Sequence, residues 1–149
     1  NEFAMTLLMP ADDVRERITG QRPSIELVRT LTGRYGTSLV ATALRVREIS
    51  SDAFCIVYVA AGHVKWCWPT SRFQWRPRRG SPWPLQSVVS LSGDAIPTFR
   101  VFGAEAQARV GRELIVSAAD MPGYDASLWI LVTHDARRPW EWGRVDLSE

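Results

Sequence analysis

Apolar residues recur at helical spacing over the first third of the chain and alternate with polar ones over much of the rest, and the change falls between Ile49 and Ala53. Phe3, Ala4, Leu7 and Leu8 share one helical face, and Pro10 stops that element. Asp12 and Asp13 are placed to cap a short helix running to about Ile18, with Val14 and Ile18 on one face and Gly20 after it. Beyond the Arg22-Pro23-Ser24 loop, Ile25, Leu27, Val28 and Leu31 predict a helix ending near Gly33. A further helix is expected from Thr37 or Ser38 to about Ile49, with Leu39, Ala43, Val46 and Ile49 inward.

From Phe54 to Pro69 the period becomes two. Phe54, Ile56 and Tyr58 alternate with Cys55, Val57 and Val59, and Val64, Trp66 and Trp68 alternate with His63, Lys65 and Cys67 across a Gly-containing turn. This predicts a β-hairpin. A register centred on Ala61 sets Tyr58 against Val64, Ile56 against Trp66, and Phe54 against Trp68. Later signals are weaker. Leu85–Leu91 is open between helix and strand, Ser92-Gly93-Asp94 reads as a turn, and Phe99, Val101 and Phe102 precede a short helix over Ala104–Val110. Leu114-Ile115-Val116 and Leu128–Val132 read as strands around a turn at Met121–Tyr124, and Trp140 and Trp142 alternate as a last strand or docking segment. The expected architecture is α+β: short helices, helix-turn-helix-like, then an antiparallel sheet with one or two helices. Two units follow from it, a helical segment 1–49 and a sheet unit 50–149.

Composition narrows the function classes. At 149 residues, 46% hydrophobic and 23% charged, the chain is of ordinary globular type and long enough for a core without disulfides or metals. No apolar run reaches the ~18 residues of a membrane helix and no signal peptide opens it, so no membrane and a cytoplasmic location are expected. Net charge is only +2, which does not point to nucleic acid, although every basic residue except Lys65 is arginine. Cys55 and Cys67 face one another in the register above; reduced thiols are the preferred reading over a cross-strand disulfide.

The opening residues carry a resemblance. Asn1-x-Phe3-Ala4-x-x-Leu7-Leu8-Met9-Pro10 resembles the A-N-x-F-A-x-x-L-L-M-P stretch of the ImmA/IrrE family of zinc metallopeptidases. In that family an HExxH helix upstream binds zinc through two histidines and uses the glutamate as general base, with an acidic ligand following. Here the two histidines, His63 and His134, stand in no HExxH, and Glu2 fills the variable position, so no zinc ligand or catalytic residue carries over. The resemblance therefore implies a non-catalytic portion whose parent holds zinc upstream, with a repressor protein or DNA as the parent's partner. It also implies a helix-turn-helix segment, and some family members carry a GAF-like sensor domain after it.

Three functional readings follow. In the preferred one the sheet unit is a regulatory or ligand-sensing domain, with a small-molecule pocket lined by Phe54, Ile56, Tyr58, Trp66, Trp68 and Trp129. In the second, the helix after Gly36 enters the DNA major groove with Arg45 and Arg47 on phosphates or guanine, against the alternative of a structural hairpin. Polar Thr42 and Arg45 at the usually buried positions of that helix depart from the pattern. In the third, Arg72, Arg76, Arg78 and Arg79, interleaved with Phe73, Trp75 and Trp83 in a stretch free of acidic residues from 53 to 93, grip nucleic acid or an acidic partner. The alternative there, which is favoured, is a Pro-rich loop whose arginines lie over its own tryptophans and cover the sheet. His134-Asp135 reads as a strand end, not a catalytic dyad.

Overall fold

The computed structural model describes residues 2–73, 77–83, 96–100, 113–121 and 123–133. Four helices, α1 (Glu2–Leu8), α2 (Ala11–Ile18), α3 (Ile25–Tyr35) and α4 (Leu39–Ile49), precede five strands, β1 (Phe54–Ala60), β2 (His63–Pro69), β3 (Ile96–Arg100), β4 (Glu113–Met121) and β5 (Ala126–Thr133). The strands form one antiparallel sheet in the order β2-β1-β5-β4-β3. The fold is α+β, as the change of period predicts.

Local chemistry explains the helix ends. Ser24 and Ser38 cap α3 and α4, their hydroxyls accepting from the N–H groups of Leu27 at 3.1 Å and Ala41 at 3.2 Å. α3 runs through Gly33 to Tyr35 instead of stopping at Gly33, because Gly36, at φ 67°, is the residue that adopts the left-handed turn. Asp12 and Asp13 lie in the first turn of α2, and the cap position is Pro10, whose carbonyl accepts from Val14 N–H at 3.0 Å. In α1 the expected apolar face is turned outward: Phe3, Leu7 and Leu8 are exposed, and Met5 and Met9 face the core.

The hairpin register differs from the one centred on Ala61. Ala61 and Gly62, at φ 51° and 78°, make a two-residue turn with both residues left-handed, so Ala60 pairs with His63 and Val59 with Val64. A bulge between Tyr58 and Val59 then admits Lys65 as an extra residue, and beyond it Tyr58 pairs with Trp66 and Ile56 with Trp68. A shift of two preserves which face Trp66 and Trp68 occupy. Val64, before the bulge, falls on the other face, and Phe54 is followed across the pair by Thr70, whose N–H reaches the Phe54 carbonyl at 2.8 Å.

The central strands are buried on both sides. One face, Phe54, Ile56, Ala119, Leu128, Ile130 and Val132, packs under Val14 and Ile18 of α2, Ile25, Val28 and Leu31 of α3, and Ala43 and Val46 of α4. The core thus crosses the Ile49–Ala53 change of pattern. The opposite face, Cys55, Val57, Val59, Val116, Ala118, Trp129 and Leu131, lies under Phe73 and Trp83. Trp83 meets Trp129 edge to face with ring centres 5.3 Å apart, and the Trp129 indole N–H donates to Ser127 Oγ at 2.7 Å. The β4 strand is longer than Leu114–Val116 suggests, because Ser117, Ala118 and Ala119 pair fully with β5 although they carry little strand signal. Leu85–Leu91, Ser92–Asp94, Ala104–Val110, His134-Asp135, Trp140 and Trp142 lie outside the described residues.

If Trp83 is part of the second core, Trp83→Ala lowers stability by about 3 kcal/mol or more. The exposed Tyr124→Ala changes it by no more than about 0.5 kcal/mol. Urea denaturation of both variants measures the difference, and equal small losses would place Trp83 outside the core.

Candidate functional site

The six residues expected to line a sheet pocket do not surround one cavity. Phe54 and Ile56 are fully buried under the helices, and Trp129 is equally buried on the opposite face of the sheet. Tyr58 and Trp68 pack at the margin of the helix-side core. Trp66 is 40% exposed on strand β2, stacked on Trp68 at 6.4 Å, with the Arg79 guanidinium 4.0 Å over its ring centre. Alternation alone places residues on faces only within one strand, so it could not relate Trp129 of β5 to the hairpin.

Arg45 and Arg47 do not project from the helical layer toward a groove. Arg45 is buried and donates from Nε and Nη2 to the Met9 carbonyl at 3.0 and 2.9 Å, while its Nη1 lies 3.5 Å from Glu48. Arg47 donates from Nε and Nη2 to the Pro69 carbonyl at 3.1 and 2.9 Å. Each fork closes on one carbonyl at the end of another element, α1 or β2, and both side chains are spent on assembling the fold. Helix α4 is wedged among α2, α3 and β1, with only Glu48 among its residues exposed. Thr42 is fully buried yet satisfied: its hydroxyl shares a 2.6 Å bond with Thr37 and lies 2.7 Å from the Ser38 carbonyl.

The described residues of the arginine- and tryptophan-rich stretch cover the sheet through Phe73 and Trp83. Phe73 and Trp83 are buried, and residues 80–83 run beside the hairpin, with Gly80 N–H bonded to Val64 O at 2.7 Å and Trp83 N–H to Gly62 O at 2.8 Å. Arg72 reaches the Ser51 carbonyl at 3.3 Å, Arg78 is exposed, and Arg76 lies outside the described residues. Cys55 and Cys67 are not joined in a disulfide; their Sγ atoms lie 3.3 Å apart at diagonal positions on the loop-covered face.

A concave site lies elsewhere, between α2 and α3. This open cleft of about 560 Å³ is lined by Arg17, Gln21, Arg22, Glu26, Thr30 and Arg34, with Gly20, at φ 80°, turning the chain at its edge. Beside it Asp13 gathers three partners: the Tyr35 hydroxyl donates to Asp13 Oδ2, Arg17 Nε donates at 3.3 Å, and Arg34 Nε lies at 3.6 Å. The Tyr35 hydrogen bond, assisted by Arg17 and Arg34 and opposed by burial, holds the Asp13 carboxyl below its ordinary range. Burial and the hydrogen bond to Asp13 push the Tyr35 hydroxyl up. No sequence motif marks this cleft, because its arginines are dispersed over 17–34 and come together only when Tyr35 and Arg34 at the end of α3 reach Asp13 of α2. Among the described residues no three His, Cys, Asp or Glu side chains come together as metal ligands, and no helix is long and apolar enough to cross a membrane.

Arg45→Ala removes the charged donors from Met9 O and should cost about 2 kcal/mol in urea denaturation, with Arg45→Lys recovering only part because an ammonium cannot reproduce the fork. A loss within about 0.5 kcal/mol would show the contact to be incidental. Asp13 has a depressed native-state pKa, so its stabilisation is fully present above about pH 4 and is lost as pH falls through the native value. Melting curves should therefore show wild type above Asp13→Asn at neutral pH and the two converging in acid; a gap constant with pH would contradict the network.

A scan against protein-family models and a search of curated proteins found no match to this chain.

Proposed function

We propose that this chain is the non-catalytic, ligand-sensing regulatory portion of an ImmA/IrrE-like zinc peptidase, and that its ligand site is the α2–α3 cleft instead of a sheet pocket. The observation that carries the reading is the cleft itself. Its volume is in the roughly 300–1,000 Å³ range of small-molecule sites, and it mixes a few apolar side chains with several convergent polar ones.

Its position suits regulation. Helix α2 follows α1 with only Met9 and Pro10 between them, and α1 belongs to the stretch that resembles the peptidase family. The Met9 carbonyl is latched by Arg45 of α4. A ligand that favours one spacing of α2 and α3 therefore biases the connection to α1, and through it whatever α1 packs against in the parent. Such a ligand acts only to the extent that it binds the two spacings unequally.

A thermal-shift screen of charged and neutral metabolites against the intact chain, followed by hydrogen exchange on each hit, tests the site. A ligand at about a hundred times its Kd adds close to 2.7 kcal/mol, a shift of several degrees. Hits should slow exchange across residues 17–34 and alter it in α1. A screen without hits, or hits that protect only other regions, would remove the reading. The family part is tested separately by the gene on the 5′ side of Asn1, where an HExxH codon run is expected and an unrelated sequence would refute it.

A further inference from the structure

We infer that the ligand of the α2–α3 cleft carries an oxyanion, a phosphoryl or carboxylate group, held between the guanidinium groups of Arg17, Arg22 and Arg34. The inference rests on reading that cleft as the ligand site and adds the chemical class.

Three arginines and one glutamate, Glu26, line the cleft, so its lining is cationic, and it stays cationic when neighbouring Asp13 is counted. Asp13 shows what the spot accepts. Its carboxylate already draws Arg17 from α2 and Arg34 from the end of α3 to one oxygen, so two cations from different helices are held together next to a cavity. Asp13 engages each through Nε, and Tyr35 takes part in the same network, yet a guanidinium carries five N–H donors, more than these two neighbours use. The side chains of Arg17 and Arg34 are 35% and 49% exposed, open enough to meet a ligand yet anchored on one edge, which lowers the entropy lost on binding. Arg22 brings a third positive charge to the lining from the connecting loop, and Gln21 and Thr30 line it with neutral polar groups. Planar forks of this kind match phosphate and carboxylate in a paired geometry that a neutral ligand cannot use.

Titration calorimetry on the intact chain tests this with four probes: pyrophosphate, citrate, adenosine monophosphate and adenosine. At least one of the three anions should bind, more weakly as salt rises, and adenosine should not. Pyrophosphate without citrate identifies the phosphoryl class, and the reverse identifies the carboxylate class. Arg34→Gln and Arg22→Gln should each weaken the bound anion by roughly tenfold. Arg29→Gln, on α3 but outside the cleft, should leave it unchanged. Because Arg34 is half exposed, its variant should keep the unliganded melting temperature and remains informative if Arg22→Gln does not fold.

Adenosine binding as well as its monophosphate, or anion binding indifferent to both substitutions, would overturn the inference. A neutral compound from the screen that protects residues 17–34 would overturn it while leaving the ligand-sensing reading intact. Absence of any anion binding would overturn it as well.

Discussion

Strands β1 and β5 have no solvent face. Almost every residue from Phe54 to Val59 and from Ala126 to Val132 is buried, whichever side it points to, and a sheet with two apolar faces must be covered twice. Helices α2, α3 and α4 cover one side. The other side is covered without a helix among the described residues, by Phe73 and Trp83 carried on the segment after the hairpin. This requirement accounts for the burial of Trp83 and Trp129. Trp129 and Trp83 satisfy each other across the second core, and Arg79 lies over Trp66 at the sheet margin.

Covering the sheet with short helices creates a second problem, because helices of seven to eleven residues hold together poorly on propensity alone. Helix α4 answers it with arginine. A buried guanidinium is costly unless its donors are used, and Arg45 and Arg47 each place two donors on a backbone carbonyl that terminates a neighbouring element. The same logic accounts for Thr42. A polar residue at an inner position of a helix-turn-helix pair disrupts a groove-reading geometry, yet here it closes bonds to Thr37 and Ser38 and stabilises the turn between α3 and α4. The polar interior of the helical pair is thus satisfied within the turn itself.

Much of the architecture was legible before any coordinates. Capping serines, the glycine after α3, the period change at Ile49–Ala53 and the alternation of Phe54–Trp68 each report local physics, and local physics decided those elements. The hairpin register was not legible, because it depended on Ala61 accepting a left-handed conformation and on Lys65 bulging out, neither of which leaves a strong mark in sequence. The separation of the six residues expected around one pocket has a related cause: alternation says that Trp129 and Trp66 each belong to a face but not to which one. The outward turn of Phe3 and Leu7 shows the same limit in a helix, where Met5 and Met9 compete for the inward position with equal periodicity.

The cleft escaped sequence reasoning because it is lined by outer faces. Val14, Ile18, Ile25, Val28 and Leu31 anchor α2 and α3 to the core, and these residues leave the periodic trace that sequence analysis reads. Arg17 and Arg34 occupy the complementary positions, which any solvated helix fills with charge, and Arg22 lies in the loop between the helices, so their convergence is invisible until the chain is folded. Asp13 and Tyr35 distinguish this convergence from scattered surface charge. A carboxylate and a phenol half removed from solvent, bonded to each other and paired with two guanidinium groups, fix the orientation of arginines that would otherwise roam. An anion entering beside them would meet a partly ordered receptor, and the helix it pulls on is the one joined most directly to α1.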